Sequence, residues 1–121
     1  NPTDATISSD GLIMPYLTYI NTATTILGID NGVANGGASI ICYSTVNKIT
    51  ITMYLEKKGL LGLYWTTVTS WDRTFYASDA FFSASSSVSS GTYRIRAVYV
   101  AYSGSASESV TGYSPEVKYT A

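Results

Sequence analysis

Strict alternation of apolar and other side chains over two long segments limits most what this chain can fold into. Residues 48–58 ("KITITMYLEKK") and 91–102 ("GTYRIRAVYVAY") carry an apolar or aromatic side chain at every second position. Side chains that repeat with a period of two lie on one face of a β-strand. Both segments are therefore predicted to be strands with one buried face. The residues predicted to point inward are Ile49, Ile51, Met53, Leu55, Tyr93, Ile95, Ala97 and Tyr99.

Five further segments of extended character precede, separate or follow these two, at residues 16–29, 38–44, 65–71, 80–88 and 108–120. The composition agrees, because tyrosine, threonine, valine and isoleucine favour strands and the chain holds 11 tyrosines. About seven strands at regular spacing, without a long amphipathic helix, are typical of two packed sheets. The prediction is an all-β fold, an immunoglobulin-like antiparallel β-sandwich of about seven strands.

Glycine and proline mark the expected turns and breaks. We expect the first strand to break near Thr22 and the last one near Gly112 and Pro115, since proline cannot donate to a ladder. Asparagine–glycine pairs tolerate the positive φ of tight turns. The predicted turns are Asn31-Gly32, Asn35-Gly36 and a hairpin loop at 59–64 ("GLLGLY").

Trp65, Val68 and Trp71 recur at every third residue, a spacing that suits neither a flat strand nor a convincing helix. A β-bulge between the two tryptophans would reconcile the spacing with a strand. One tryptophan left exposed would do so as well.

The length and composition predict a single folded domain. The chain has 121 residues, of which 45% are hydrophobic and 12% are charged, so disorder is not expected. We assign residues 1–15 to a polar N-terminal lead-in and residues 16–121 to one domain. The lead-in is interpreted as the mature or trimmed end of an exported protein.

The start of the segment at 91–102 resembles the tyrosine corner of immunoglobulin-type sandwiches. In those folds a tyrosine hydrogen-bonds back to the preceding corner and stands two residues before a core cysteine. Gly91 and Tyr93 match this pattern and Ile95 takes the cysteine's place. Cys42 is expected on the partner strand where the second cysteine would lie, opposite Ile95. The chain has one cysteine, so apolar packing must hold this contact between sheets. The alternative is that Tyr93 is simply a packed core aromatic.

Residues 16–119 as a whole resemble a group of small uncharacterised secreted proteins of Gram-positive gut bacteria. The resemblance is carried by the stretches "NGGASIICYS", "KITITMYLEKK", "WTTVTSW" and "SVSSGTYRIRAVYVAYSGSASESVTGYS". It implies an extracellular immunoglobulin-like sandwich with no assigned activity. It confers no functional residues, because its motifs are structural.

The residue types present leave little room for catalysis. The absence of histidine excludes Ser-His-Asp and Cys-His arrangements and leaves Cys42 without a base to form a thiolate. Most of the eight carboxylates are expected in turns or on outward strand faces, where they are simply solvated. The turn-rich segment 30–37 has oxygen-rich chemistry suited to Ca²⁺, but turn formation alone explains it. We predict no catalytic residue, no metal site and no cofactor.

Charge and hydropathy also limit the classes of partner that the protein can bind. A net charge of −1 gives no sign of the positively charged surface that would attract nucleic acid or an anionic membrane. The longest apolar runs are far too short to span a bilayer. We expect no nucleic-acid partner and no membrane insertion.

Exposed aromatic side chains are the one feature of the sequence that suggests ligand binding, since they combine apolar area with a polar tip. Heavy use of tyrosine on both faces of a sandwich explains them equally. The candidate ligand-binding residues are Tyr54, Tyr64, Trp65, Trp71, Tyr76 and Tyr102.

The leading hypothesis is a secreted or cell-surface, non-enzymatic module for adhesion, partner binding or structure. One alternative is a carbohydrate-binding module that uses Trp65 and Trp71, and its partner would be a glycan. Another is a structural domain that self-associates by pairing edge strands formed from the first and last segments.

Overall fold

A computed structural model describes residues 4–7, 12–13 and 17–121, and all regular secondary structure in these residues is β-strand. Each strand coincides with a segment of alternating or apolar character, or flanks one. The strands are β1 (Asp4–Ile7), β2 (Leu12–Ile13), β3 (Ile20–Asp30), β4 (Val33–Cys42), β5 (Lys48–Lys58), β6 (Trp65–Phe75), β7 (Asp79–Ser87), β8 (Gly91–Ser103), β9 (Ala106–Tyr113) and β10 (Val117–Tyr119).

The strands form two sheets. The larger sheet has the order β1-β9-β8-β5-β6, with β10 also paired to β8, and the smaller sheet has the order β2-β3-β4-β7. Three antiparallel hairpins, β3–β4, β5–β6 and β8–β9, are joined by connections that cross between the sheets. The seven strands from β3 to β9 each have eight or more residues. The predicted immunoglobulin-like sandwich of about seven strands is confirmed.

The core lies between the sheets, on the faces that the alternation predicted. All eight residues predicted to point inward from β5 and β8 are at most 1% exposed. The smaller sheet contributes Ile20, Ala38 and Ile40 to the same core. A polar link crosses it: the Tyr99 hydroxyl donates to the Thr24 carbonyl oxygen at 2.9 Å and lies 2.7 Å from the Thr25 Oγ1.

The turn predictions in the β3–β4 region are half correct. Asn31 and Gly32 have φ values of 49° and 74° and close the hairpin, as expected. The prediction of a turn at Asn35-Gly36 is wrong, because both residues lie inside β4 and pair with β3 and β7. Gly36 instead allows close packing of the sheets, since a Cβ there would lie 2.8 Å from the Ile95 Cδ1.

The predicted break in the first strand is a β-bulge, and the predicted break in the last one is an interruption between two strands. β3 is continuous but shifts register between Ile20 and Thr22, which is the mark of a bulge. The last segment stops at Tyr113 and resumes as β10, and Gly112 lies within β9. In the gap the Ser114 Oγ accepts from the Ile95 N–H at 2.8 Å, so a side chain replaces part of the backbone ladder.

Two short strands within residues 1–15 pair with the sheets. β1 runs parallel to β9, and β2 runs antiparallel to β3. The rest of the predicted lead-in and its boundary at residue 16 lie outside the described residues. The prediction that the first and last segments form the sheet edges is correct only in part. β1 pairs with four residues of β9, whereas β2 pairs only with Thr22 and Ala23, so most of β3 has no described neighbour on that side. The other long strands at the edges are β6 and β7.

No helix among the described residues is long and apolar enough to cross a membrane.

Candidate functional site

The loop between β5 and β6, residues 59–64, is shaped by glycine. The Gly62 N–H donates to the Gly59 carbonyl oxygen at 2.9 Å, which closes a β-turn with Leu60 and Leu61 at its two central positions. The Gly59 N–H donates to the Tyr64 carbonyl oxygen at 2.8 Å. Gly62 has a φ of 67°, a left-handed conformation that favours glycine. The glycines alone therefore account for the turn, and we call residues 59–64 the β5–β6 tip.

The side chains of the β5–β6 tip are apolar and exposed. The exposed fractions are 106% for Leu60, 82% for Leu61, 76% for Leu63 and 64% for Tyr64. Central turn positions normally hold asparagine, aspartate, serine, glycine or proline. The leucines contribute nothing to turn geometry and little to packing. Residues that break a local rule without a structural benefit are expected at functional sites.

An open groove of about 390 Å³ lies at the base of the tip. A Cβ on Gly91 would lie 2.6 Å from the Lys57 Cε, so glycine leaves room for the lysine stem. The Lys57 Nζ lies 3.3 Å from the Ser89 Oγ, and the Lys58 Nζ lies 2.8 Å from a Glu116 carboxylate oxygen. We call this the basal groove, and it is lined by Lys57, Lys58, Gly59, Leu60, Gly62, Ser90, Gly91 and Thr92.

A buried carboxylate organises the outer face of the larger sheet beside the tip. Glu56 accepts from the Arg94 Nε at 2.8 Å and from the Arg96 Nε at 3.0 Å, and its side chain is 8% exposed. The strand alternation puts all three residues on one face, where β5 and β8 pair directly. Glu56 is not a solvated surface charge, contrary to the general expectation for the carboxylates.

The two arginines also stack on aromatic rings. The Arg94 guanidinium carbon lies 4.2 Å from the ring centre of Trp65 and 4.6 Å from that of Tyr113. The Arg96 guanidinium carbon lies 4.1 Å from the ring centre of Tyr54. Such stacks fix planar side chains in place. Trp65 begins β6, so this arrangement holds the base of the β5–β6 tip on a fixed support.

The two tryptophans lie on opposite faces of the larger sheet. Leu55 pairs with Thr69 and Glu56 pairs with Thr67, so Val68 is the extra residue of a bulge in β6. The predicted bulge between the tryptophans is confirmed. Trp71 packs against the core, whereas Trp65 contacts the outward-facing Arg94. A sugar-binding platform built from both tryptophans is therefore ruled out by geometry.

The other candidate aromatics are also dispersed. Tyr64 is in the β5–β6 tip, and Tyr76 is exposed in the β6–β7 connection. Tyr54 and Tyr102 lie on the outer face, but cations cover part of each ring, and the Lys48 Nζ is 4.8 Å from the ring centre of Tyr102. The six predicted residues do not form one surface.

The tyrosine corner is present. The Tyr93 hydroxyl donates to the Ser89 carbonyl oxygen at 2.9 Å, and Tyr93 is also buried in the core. The placement of Cys42 opposite Ile95 is wrong, because Gly36 faces Ile95 and Cys42 lies six residues further along β4. Cys42 is a buried free thiol, and desolvation, with smaller effects of Asp79 and Glu108, raises its pKa to about 12. The thiol therefore stays protonated at neutral pH.

Glu108 also departs from the expectation of solvated carboxylates. It is buried and accepts hydrogen bonds from the backbone N–H groups of Thr18, Tyr19 and Ile20 at 2.7, 2.8 and 2.9 Å. It thus ties the start of β9 to the segment that enters β3. Within the part of the chain that the structure describes, no three potential ligands among histidine, cysteine, aspartate and glutamate come together to hold a metal ion.

The sequence predicts residues 59–64 as a hairpin loop but does not identify Leu60, Leu61 and Leu63 as candidates. The available signal was three leucines in a turn that glycine already shapes, directly after two lysines. Hydrophobic periodicity cannot detect it, because these leucines lie between strands rather than on one. No protein-family model matches the chain, and no curated protein is similar to it in sequence.

Proposed function

We propose that this protein is a secreted, non-enzymatic binding module that attaches to a cell surface through its β5–β6 tip. The observation that carries the proposal is the set of exposed leucines at the apex of a glycine-shaped turn. Exposed contiguous apolar side chains cost solubility and mark interaction sites. Secretion and a bacterial source rest on the resemblance described above.

The rigidity of the surrounding structure supports a binding role. The Glu56–Arg94–Trp65 arrangement fixes the start of β6, and Lys57 is packed over Gly91 at the end of β5. A tip on a rigid support loses less conformational entropy on binding than a free loop does. More of the free energy of the contacts then contributes to the affinity for the cell surface.

Cell binding tests this proposal. Fluorescently labelled protein is incubated with intact Gram-positive gut bacteria and with intestinal epithelial cells, and the bound fraction is measured by flow cytometry. The test variant is Leu60→Ser/Leu61→Ser. The matched control is Ile26→Ser/Ile41→Ser, which removes two half-exposed apolar side chains of the smaller sheet. Because all four positions are exposed, unchanged thermal unfolding is expected for both variants.

We expect the wild type and the control to label one of the cell types, and the tip variant to lose most of that labelling. Labelling of neither cell type, or equal labelling by the tip variant, contradicts the proposal. The non-enzymatic part is tested with a panel of hydrolase substrates. Reproducible turnover that disappears when a pair of carboxylates is changed to amides would end it.

A further inference from the structure

The β5–β6 tip presents a convex apolar surface, and its shape limits what can cover it. Leu60 and Leu61 occupy the apex of the turn, and Leu60 is as exposed as in an isolated peptide. A protein partner would need a groove shaped to enclose the apex. The hydrocarbon of a lipid bilayer accepts such a tip without any matching shape.

Below the apex the side chains follow the chemical order of a bilayer surface. The leucines are followed along the chain by Tyr64 and Trp65, the two side-chain types enriched at the boundary between hydrocarbon and headgroups. Lys57 and Lys58 line the basal groove immediately beneath. Lysine side chains at this depth reach the phosphates of the headgroup layer.

The two lysines are available to an anion. Among the described residues Lys57 makes no ion pair, and its Nζ is held 3.3 Å from the Ser89 Oγ. Lys58 pairs with Glu116, but both side chains are substantially exposed, and such surface pairs are weak. As neighbours on β5 the two lysines point to opposite faces of the strand, with the Lys57 Nζ 5.7 Å from the ring centre of Tyr93 and the Lys58 Nζ 5.5 Å from that of Trp65. Both residues line the open groove of about 390 Å³.

We propose that the β5–β6 tip inserts into the outer part of a lipid bilayer, with Lys57 and Lys58 binding the phosphates of anionic phospholipids in the basal groove. This proposal rests on the proposed function, since it names the surface to which the tip attaches. It revises the expectation of no membrane insertion. That expectation depended on net charge and on the length of apolar runs, whereas an interfacial loop needs only a local apolar tip and local cations.

Vesicle sedimentation tests the proposal. The wild type is mixed with vesicles of phosphatidylcholine alone and with vesicles that also contain phosphatidylglycerol, and the partition coefficient is measured. Leu60→Ser/Leu61→Ser should lower partitioning into both vesicle types by about tenfold or more, because apolar area drives insertion. Lys57→Gln/Lys58→Gln should lower it only for the anionic vesicles, by about fivefold per lysine. Ile26→Ser/Ile41→Ser should have no effect.

A site-specific fluorophore gives a second measurement. An environment-sensitive label is attached to Leu61→Cys in a Cys42→Ala background, and its emission is recorded with the anionic vesicles. The control carries the label on Ser83→Cys, an exposed position in β7 of the other sheet. A blue shift is expected for the label at position 61 and none for the label at position 83.

The outcomes separate this inference from the proposed function. If the wild type binds neither vesicle type while cell labelling still depends on the tip, the lipid inference is overturned and the tip binds a partner other than a lipid surface. If vesicles bind the wild type and the tip variant equally, insertion by the tip is wrong. Tip-dependent, anion-dependent partitioning together with the blue shift at position 61 supports the inference.

Discussion

The Glu108 side chain lies at the start of β9 with its residue 2% exposed, and its two carboxylate oxygens accept three backbone hydrogen bonds. Glu56 is comparably enclosed and meets two arginines. At the scale of single residues, the buried charges of this protein are therefore committed to holding backbone and side chains in place. A buried charge that loses its partner costs more than the pair contributes.

Replacing Glu108 should destabilise the fold strongly. Glu108→Ala leaves the N–H groups of Thr18, Tyr19 and Ile20 without an acceptor and should lower the free energy of unfolding by about 2–4 kcal/mol. Glu108→Gln keeps one acceptor oxygen and should cost less. Urea unfolding measures both, and Glu116→Ala, which removes an exposed pair, is the control at about 0–1 kcal/mol. Equal effects of Glu108→Ala and Glu116→Ala would show that the three hydrogen bonds accepted by Glu108 contribute nothing to stability.

Stability should decline in alkaline solution because of two buried acids. Burial raises the pKa of Cys42 from 9.0 to about 12 and that of Tyr99 from 10.0 to about 12. Between these values the unfolded chain releases the protons and the folded chain keeps them, so unfolding becomes more favourable as pH rises. The stability is complete below pH 9 and decreases towards pH 12.

Urea unfolding over the alkaline range measures this decline. Cys42→Ala removes one of the two groups, so its free energy of unfolding should fall less steeply with pH than that of the wild type. Tyr99→Phe should reduce the slope in the same direction above pH 10. Parallel slopes for the wild type and both variants would rule out the contribution of these groups.

At the scale of elements, the separation of the sheets is set where β4 crosses β8. Gly36 faces Ile95, and no side chain intervenes between the backbone of one strand and the isoleucine of the other. Interiors are packed too tightly for an added methyl group to be absorbed at such a contact. This crossing is therefore expected to be the least tolerant point between the layers.

Gly36→Ala should destabilise the protein by about 1–3 kcal/mol, because the new Cβ overlaps a side chain that is itself fully buried. Gly28→Ala is the matched control, since a Cβ at that exposed strand position meets nothing within 4 Å. Calorimetry compares the two. Adding Ile95→Val, which removes the overlapping methyl group, should make the double variant less destabilised than the sum of the single changes. Strict additivity would mean that the overlap is not the cause.

The elements were predictable where the signal is local and regular. Period-two alternation identified β5 and β8 and their buried faces, because one buried and one outward face impose that pattern directly. The sequence predicts a turn at Asn35-Gly36 because a pair of small residues has the same sequence signature in a hairpin and at a close approach of two sheets. Which of the two applies depends on Ile95, almost sixty residues away.

The candidate site was less accessible to sequence reasoning. The six aromatics are predicted from residue type alone, but whether each ring is accessible to a ligand depends on Arg94, Arg96 and Lys48. The face on which Trp65 lies depends on one bulged residue, Val68. The β5–β6 tip became a candidate only once the exposure of its leucines was known.

At the scale of the whole molecule, the N-terminal strands cover part of the long strands next to them. β1 lies beside β9 and β2 lies beside β3, one in each sheet. An uncovered strand edge is a template for pairing with another chain. The two short strands thus contribute to keeping copies of the protein apart.

Removing residues 1–7 should uncover β9. We expect the free energy of unfolding to fall by roughly 1–3 kcal/mol, since each lost backbone hydrogen bond is worth about 0.5–1.5 kcal/mol. We also expect association that grows with concentration. Light scattering and urea unfolding measure the two effects, and a chain lacking only residues 1–3, which keeps β1, is the control. A monomeric, equally stable truncated protein would contradict this role of β1.

The bulge at Val68 has a practical consequence for following these experiments. It turns the two indole rings to opposite sides of one sheet, so that each senses a different environment. Trp65, stacked on a guanidinium beside the loop, reports events at the hairpin, and Trp71, packed against the interior, reports loosening of the sandwich. With Trp71→Phe and Trp65→Phe as a complementary pair, intrinsic fluorescence distinguishes attachment from unfolding without any added dye.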